Sequence, residues 1–514
     1  MISRAPVRID RTLVVSVFIV ASCGLAYELV SAALASYLLG DSVLQFSTVI
    51  GVYLFAMGIG SHLTRHIDDD ASLERFIDIE LLVGVVGGFS AALLFVVYGW
   101  LATPFRSVLY ALVLLIGILV GMEIPLVMRV LHRQQAEFRE LVSRVLAFDY
   151  LGALAVSLLF PLVLAPQLGL VRTGLLFGLL NVGVGWWTAH RFAAELPAPG
   201  KQMRRAAVTV VLLLAGFAFA DRLTTWSEQQ VLGDPIIHAE TTPFQRLVVT
   251  RWKDDTRLYI NGNLQFSSRD EHRYHEALVH PALAALAAPR RVLVLGGGDG
   301  MAVREILKYD AVREVTLVDL DPAMTRLFKD NPELARLNAG ALADARVTIV
   351  NADAARWLED TEAPPWDLIV ADFPDPSSHA LGKLYSVPIY RMMARHLAAD
   401  GLLVVQATSP WYAPHAFWCI EATLRAAGFA PRAYHAQVPS FGEWGFFVAA
   451  PPQRTREFVP PGRYPVPLRF VDAAVTTLMF HFPADMPRPA VEPNRLDNQI
   501  LVHYFEQDWA AVIR

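Results

Sequence analysis

Charge and cysteine are what this 514-residue chain has least of. Only 18% of its residues are charged, against 54% hydrophobic, and the mean hydropathy is +0.38. That balance excludes an ordinary soluble protein, while the length allows two or three domains. Two cysteines, Cys23 and Cys419, exclude a disulfide framework and a cysteine-based metal cluster. With no metal-ligand cluster built on cysteine, no metal is expected. His272 and His275 share a polar segment with Arg269, Asp270 and Glu271 and read as solvated or ligand-facing. With a net charge of −5, no nucleic-acid partner is expected.

The apolar excess ends near residue 221. Before it lie seven runs of roughly membrane-crossing length, at about 12–40, 45–63, 76–101, 106–128, 146–170, 172–190 and 206–220. No small-residue cleavage site follows the first, which reads as an anchor. Residues 1–221 are therefore expected to be a multi-pass helical domain in the cell (inner) membrane. Basic residues favour the cytoplasmic face. They cluster at Arg4, Arg8 and Arg11, at Arg65 and Arg75, at Arg129, Arg133, Arg139 and Arg144, and at Arg191, Lys201, Arg204 and Arg205. The alternate loops hold little beyond Arg106 and Arg172. Seven crossings would leave the C-terminal half outside and six would leave it inside; the short 206–220 run decides.

After residue 230 the texture changes. "RLVVTRW" and "RLYINGNLQF" predict a small antiparallel β unit over 230–270, with a tight turn at Gly262 and a helix start near Ser268 or Asp270. Over 271–450, apolar strands such as "RVLVLG", "EVTLVDL", "RVTIVNAD", "WDLIVADF" and "GLLVVQAT" alternate with helical segments. That order predicts a Rossmann-like, doubly wound α/β sheet. Residues 451–514 form an extension read as a docking segment.

Ligands of such sheets lie at the carboxyl ends of the strands, and those ends are acidic here. The first carries Gly296, Gly297, Gly298, Asp299 and Gly300; the second Asp319 and Asp321; the third Asp353; the fourth Asp372 and Asp375. An acid about twenty residues after a glycine loop commonly holds ribose hydroxyls, which is the place of Asp319. Asp353 can take an adenine amino group. The loop lacks the full G-x-G-x-x-G, so an adenosyl sulfonium fits better than a dinucleotide. Asp299 would repel a carboxylate tail and attract an ammonium, while Asp372 and Asp375 suit a cationic acceptor.

These motifs resemble the aminopropyltransferase (spermidine synthase) family. The resemblance rests on "FQRLVVTR", "LYINGNLQFSSRDEHRYHEALVHPAL", "VLVLGGGDG", "VDLD", "NADA", "DLIVADFPDP" and "LYS", over about 236–450. The N-terminal helices resemble a membrane-bound bacterial branch of that family. The resemblance implies transfer of the aminopropyl group of decarboxylated S-adenosylmethionine, a co-substrate and not a cofactor, to putrescine or a related amine. Asp372 would be the base. Gln245, Gln265, His275, Gly297, Asp299, Asp319, Asp353 and Ala354 would line the donor site, with Tyr274 and Asp375 orienting the acceptor. Soluble relatives often form homodimers.

Two departures stand out. Tyr274 is followed by His275, and the late loop reads "VPSFGEWGF", with Phe441 where the family commonly has tyrosine. Two other functions remain open: a methyltransferase using S-adenosylmethionine itself, which Asp299 argues against, and a membrane sensor or transporter that binds polyamine without turnover. Glu28, Glu80, Glu123 and Asp149 interrupt the apolar runs. Ionisable groups in lipid are costly, so these acids are candidates for a polyamine or proton path, or else sit near helix ends or pair inside the bundle.

Overall fold

The computed structural model describes residues 11–39, 42–100, 105–133, 138–454 and 456–512. Arg4, Arg8 and the expected span ends at 40 and 101 lie outside these. The chain divides into two compact units, Met1–Pro243 and Phe244–Arg514.

The first unit is helical: α1 (Arg11–Leu39), α2 (Ser42–Leu63), α3 (Ser72–Trp100), α4 (Phe105–Arg133), α5 (Phe138–Leu159), α6 (Gly169–Arg191) and α7 (Pro199–Leu232), with a short strand β1 (Ile236–Thr241) at its end. Among the described residues, six continuous helical stretches are long and apolar enough to cross a membrane. The fifth, Val142–Arg191, folds back on itself at Gly169, whose φ is +74°. The Thr173 hydroxyl donates to the Leu164 carbonyl, nine residues earlier, at 3.3 Å, a contact that a straight helix rising 1.5 Å per residue cannot make. Each arm exceeds the ~20 residues that a crossing needs. The run at 206–220 is only the middle of α7, which spans 34 residues to a left-handed cap at Gly233. Its polar ends hid its length: Arg204, Arg205, Asp221 and Arg222 flank the apolar stretch, and helix continues through them.

In the second unit, β2 (Arg246–Trp252), β3 (Asp255–Ile260) and β4 (Asn263–Ser267) form the expected antiparallel meander. Asn261 and Gly262 both take positive φ in the tight turn between β3 and β4. Helix α8 (Glu271–Leu283) follows. Asp270 precedes it, but its carboxylate makes no capping bond; it accepts instead from the Ser440 amide at 2.6 Å and hydroxyl at 2.9 Å. The expected cap thus ties a distant loop to the start of α8.

The main sheet is built from β5 (Arg291–Gly296), α9 (Met301–Leu307), β6 (Glu314–Asp319), α10 (Pro322–Asp330), α11 (Pro332–Leu337), β7 (Val347–Asn351), α12 (Ala354–Asp360), β8 (Trp366–Asp372), α13 (His379–Gly382), α14 (Val387–His396), β9 (Leu397–Gln406), α15 (Pro414–Ala426), β10 (Ala430–Val438) and β11 (Gly442–Ala450). The spatial order is β10-β11-β9-β8-β5-β6-β7, parallel except where β11 pairs with β9 and β10. Val292, Leu293, Val294 and Leu295 of β5 are fully buried, each worth about 1.5–3 kcal/mol of apolar burial. Because β6 and β8 flank β5 from opposite sides, the chain reverses its winding at the end of β5. That reversal opens the crevice in which ligands of such sheets bind.

The extension carries α16 (Ala473–Met479) and α17 (Ile500–Val512) and lies against the sheet domain. The buried Glu276 carboxylate accepts from three successive amides, Arg469, Phe470 and Val471, at 2.8–3.0 Å. Asn494 donates to the carbonyls of Gly382 and Tyr385 at 2.8 and 3.1 Å. Asp508 accepts from the His415 ring and from the amides of His415 and Ala416.

Candidate active site

The glycine loop after β5 is shaped by the acids on both sides of it. A Cβ on Gly296 would lie 2.2 Å from the Asp372 carbonyl oxygen, and one on Gly297 2.9 Å from Asp372 Oδ2. A Cβ on Gly298 would lie 2.6 Å from Asp319 Oδ2. Gly298 instead donates its amide to that oxygen at 3.1 Å. The glycines therefore serve close approach, and the strand ends β6 and β8 deliver Asp319 and Asp372 to the same turn.

Asp299 follows, its Oδ1 accepting from the Met301 amide at 2.9 Å, with the Asn338 amide group fixing its backbone carbonyl at 2.8 Å. Burial raises its carboxyl above the ordinary range, though His275 and the Met301 amide pull the other way. Burial also pushes Asp319 up to about 6, with the charges of Asp321 and Asp299 adding to the effect. Asp321 caps α10 through the Ala323 amide at 2.9 Å and accepts from Gln245 at 3.0 Å. The expected donor residue Gln245 thus stands beside the end of β6. Asp353 and Ala354 open α12 at the end of β7, where Asp353 accepts from the Arg356 amide at 3.0 Å. Gln265 lies on β4, donating to the Asn263 carbonyl.

Tyr274 and His275 come from α8. The Tyr274 hydroxyl donates to Asp372 Oδ1 at 2.6 Å. Its ring packs edge-on against Phe441 and Phe446, at 6.1 and 5.3 Å between centroids. Burial pushes Asp372 up to about 6, aided by Asp299 and opposed by His275 and by the Tyr274 hydrogen bond. His275 Nδ1 stands 2.8 Å from both the carbonyl and the carboxylate of Glu271. Burial would lower its pKa, but Glu271, Asp299 and Asp372 outweigh that and push it up to about 9. His275 is therefore a buried side chain whose neighbouring carboxylates favour its protonated form, not a solvated one. Burial would raise the Glu271 carboxyl, but His275 and a two-pronged Arg304 contact at 2.8 and 2.9 Å hold it down at about 2.

Asp375 lies three residues beyond Asp372. Its carboxylate is met at 3.5 Å by the Gln406 amide and at 3.3 Å by the Thr408 hydroxyl, and burial pushes it up to about 7. Sequence reading missed Gln406 and Thr408, which contact this acid, and Trp444, which holds Gln406. Gln406 donates to the Phe373 carbonyl and meets the Tyr385 hydroxyl, while its own carbonyl oxygen accepts from Trp444 at 3.2 Å and the Thr408 amide at 3.2 Å. Thr408 is β-branched and buried yet has φ +52°, a strain of about 1–3 kcal/mol held at the end of β9. Its place after an apolar strand was the available signal.

Residues 271–456 match the spermine/spermidine synthase domain model. A polyamine aminopropyltransferase of Ralstonia nicotianae is 64% identical over 98% of this chain and 99% of its own length. One from Leptospira interrogans is 48% identical, over 98% and 99% respectively. Among solved structures, a spermidine synthase in complex with the transition-state analogue AdoDATO is 24% identical, with a TM-score of 0.44, covering 48% of this chain and 86% of that one. On the near-complete match to the curated relatives, this chain belongs to the polyamine aminopropyltransferase family of transferases.

Proposed function

We propose that the second unit transfers the aminopropyl group of decarboxylated S-adenosylmethionine to putrescine or a related amine, giving spermidine and methylthioadenosine. The observation that carries this reading is the joint closure of Asp319 and Asp372 on one glycine turn, with Asp299 inside it. In this reading Asp319 accepts from the ribose hydroxyls, and Asp353 and Ala354 serve the adenine side. Asp299 is the counter-charge for the donor's terminal ammonium and disfavours the carboxylate of the undecarboxylated compound.

Asp372 is the base. A primary alkylammonium has a pKa of about 10.4, so freeing its lone pair at pH 7 costs about 4–5 kcal/mol. As the nitrogen forms its bond to the carbon beside the sulfonium, the carbon–sulfur bond breaks and its electron pair stays on sulfur. The proton released from nitrogen passes to Asp372, whose raised pKa brings it closer to the proton it must receive. Tyr274 fixes one Asp372 oxygen and leaves Oδ2 against the glycine turn. Asp375, on its Gln406–Thr408 cradle, orients the acceptor.

The first unit is a multi-pass anchor in the cell (inner) membrane. Leu151, Leu154, Leu158 and Leu162 of its fifth stretch, and Val208, Val211, Leu212 and Leu214 of α7, are exposed, an apolar exterior that suits lipid and not water. The test is direct: full-length protein in detergent, given decarboxylated S-adenosylmethionine and putrescine, should release equal amounts of methylthioadenosine and spermidine. Methyl transfer from S-adenosylmethionine, or binding without product, would refute the reading.

A further inference from the structure

Glu80 of α3 and Glu123 of α4 are 0% and 1% exposed. Glu80 sits eight residues inside α3, not at its end as its sequence position suggested. One side chain of α6 joins the two acids: the Asn181 amide nitrogen lies 3.0 Å from Glu80 Oε2 and 3.5 Å from Glu123 Oε1. Glycines bring the helices together there. A Cβ on Gly84 would lie 2.9 Å from the Gly178 carbonyl oxygen, and one on Gly185 3.2 Å from the Glu80 Cβ.

Two buried acids alone do not define a ligand, because they can share protons. The second observation is what is left over around them. Glu80 Oε1, Asn181 Oδ1 and the Tyr27 hydroxyl of α1 are buried with no hydrogen-bond partner, and Tyr27 and Asn181 are themselves 0% exposed. Each such atom costs about 1–3 kcal/mol. The other titratable groups that feel the pair are Cys23 of α1, Tyr53 of α2 and Asp149 of α5, none of them positively charged. Cys23 already donates to the Phe177 carbonyl and Tyr53 to that of Gly24. A proton on one carboxyl leaves the amide oxygen and the phenol unserved. Among the described residues no group of three or more His, Cys, Asp or Glu converges as a metal site would require. A single positive charge that brings several N–H donors would serve these atoms together.

We propose that the Glu80–Glu123–Asn181 cluster binds the primary ammonium end of a linear diamine or polyamine. An –NH₃⁺ group has three donors and no acceptor, matching carboxylate oxygens from two helices and the amide oxygen of a third. Its charge offsets a pair that could not stay ionised alone in an apolar bundle. The helical unit then handles the same class of molecule as the second unit. The choice of an amine over another monovalent cation rests on the aminopropyl-transfer reading; the existence of a site rests on the unpartnered atoms.

Equilibrium dialysis of putrescine and spermidine against the full-length protein in detergent, with no donor present, tests this. Glu80→Gln and Glu123→Gln should each weaken one bound amine equivalent at least ten-fold, while Asp375→Asn leaves that equivalent intact. The glutamine variants should retain the Asp375-dependent equivalent, which serves as their folding control; where one fails to fold, the other reads the same site. An equivalent insensitive to both glutamine variants, or one displaced equally well by sodium ion, overturns the proposal. Failure of the aminopropyl-transfer reading looks different: no methylthioadenosine forms, yet the Glu80-dependent equivalent persists.

Discussion

Asp375→Asn should stabilise the unliganded protein at pH 8 while removing its hold on the acceptor amine. The carboxyl is pushed from its ordinary 3.8 to about 7 by burial, opposed only by long contacts from Gln406 and Thr408. Three units of difference correspond to about 4 kcal/mol for keeping that charge in the fold. Because the folded pKa lies above the unfolded one, the acid's contribution to stability is fully present below about pH 4. It is lost as the pH rises through about 7. Loop relaxation and water entry reduce the gain from the neutral amide, so about 1–3 kcal/mol is expected at pH 8, shrinking toward zero near pH 4. For a unit of this size that is roughly 2–10 °C in melting temperature. Tryptophan fluorescence during heating of the detergent-solubilised protein measures it. Putrescine should raise the melting temperature of the parent through this site and give less of a rise in the variant. A variant that melts lower than the parent at pH 8, or a difference that ignores pH, would refute the reasoning.

Asp372→Asn should lower the rate of methylthioadenosine release by about 10²–10⁴, the usual contribution of a general base, with donor affinity within a few-fold by titration calorimetry. As the proposed base, Asp372 would have to be ionised to accept the proton, and its pKa is raised to about 6, so kcat/KM of the parent should fall as the pH drops through about 6 and recover above it. Asp299→Ala should weaken the decarboxylated donor at least ten-fold more than S-adenosylmethionine; equal losses would remove its role as a charge filter. Gly298→Ala should abolish donor binding, because its Cβ has only 2.6 Å to Asp319, while far-ultraviolet circular dichroism stays near that of the parent.

The alternation of buried strands and helices was legible because each β strand of the parallel core is a continuous apolar run. The acids at their ends were legible for the same reason, since strand ends point to one crevice. The surroundings of Asp375 were not. Gln406 and Thr408 lie about thirty residues away in sequence, and Trp444 stands at the start of β11, where the chain reads as a continuation of the preceding loop. The state of His275 was equally hidden, because it depends on Glu271 one helical turn away and on Asp299 and Asp372 from distant strand ends. Polar residues inside α7 misled in the opposite direction, suggesting an end where the helix continues.

The seat of Glu276 bears on how the protein is made. Its carboxylate is buried in α8, and its three amide partners, 469–471, lie nearly two hundred residues later in the chain. On the ribosome, the last strand of the sheet ends nineteen residues before the first of those amides, so until they emerge the acid lacks these partners. The matched domain ends at residue 456, short of the contacts that complete the seat of Glu276. A polypeptide stopped there leaves the buried Glu276 carboxyl without its three amide donors, a loss that lowers the stability of the sheet domain.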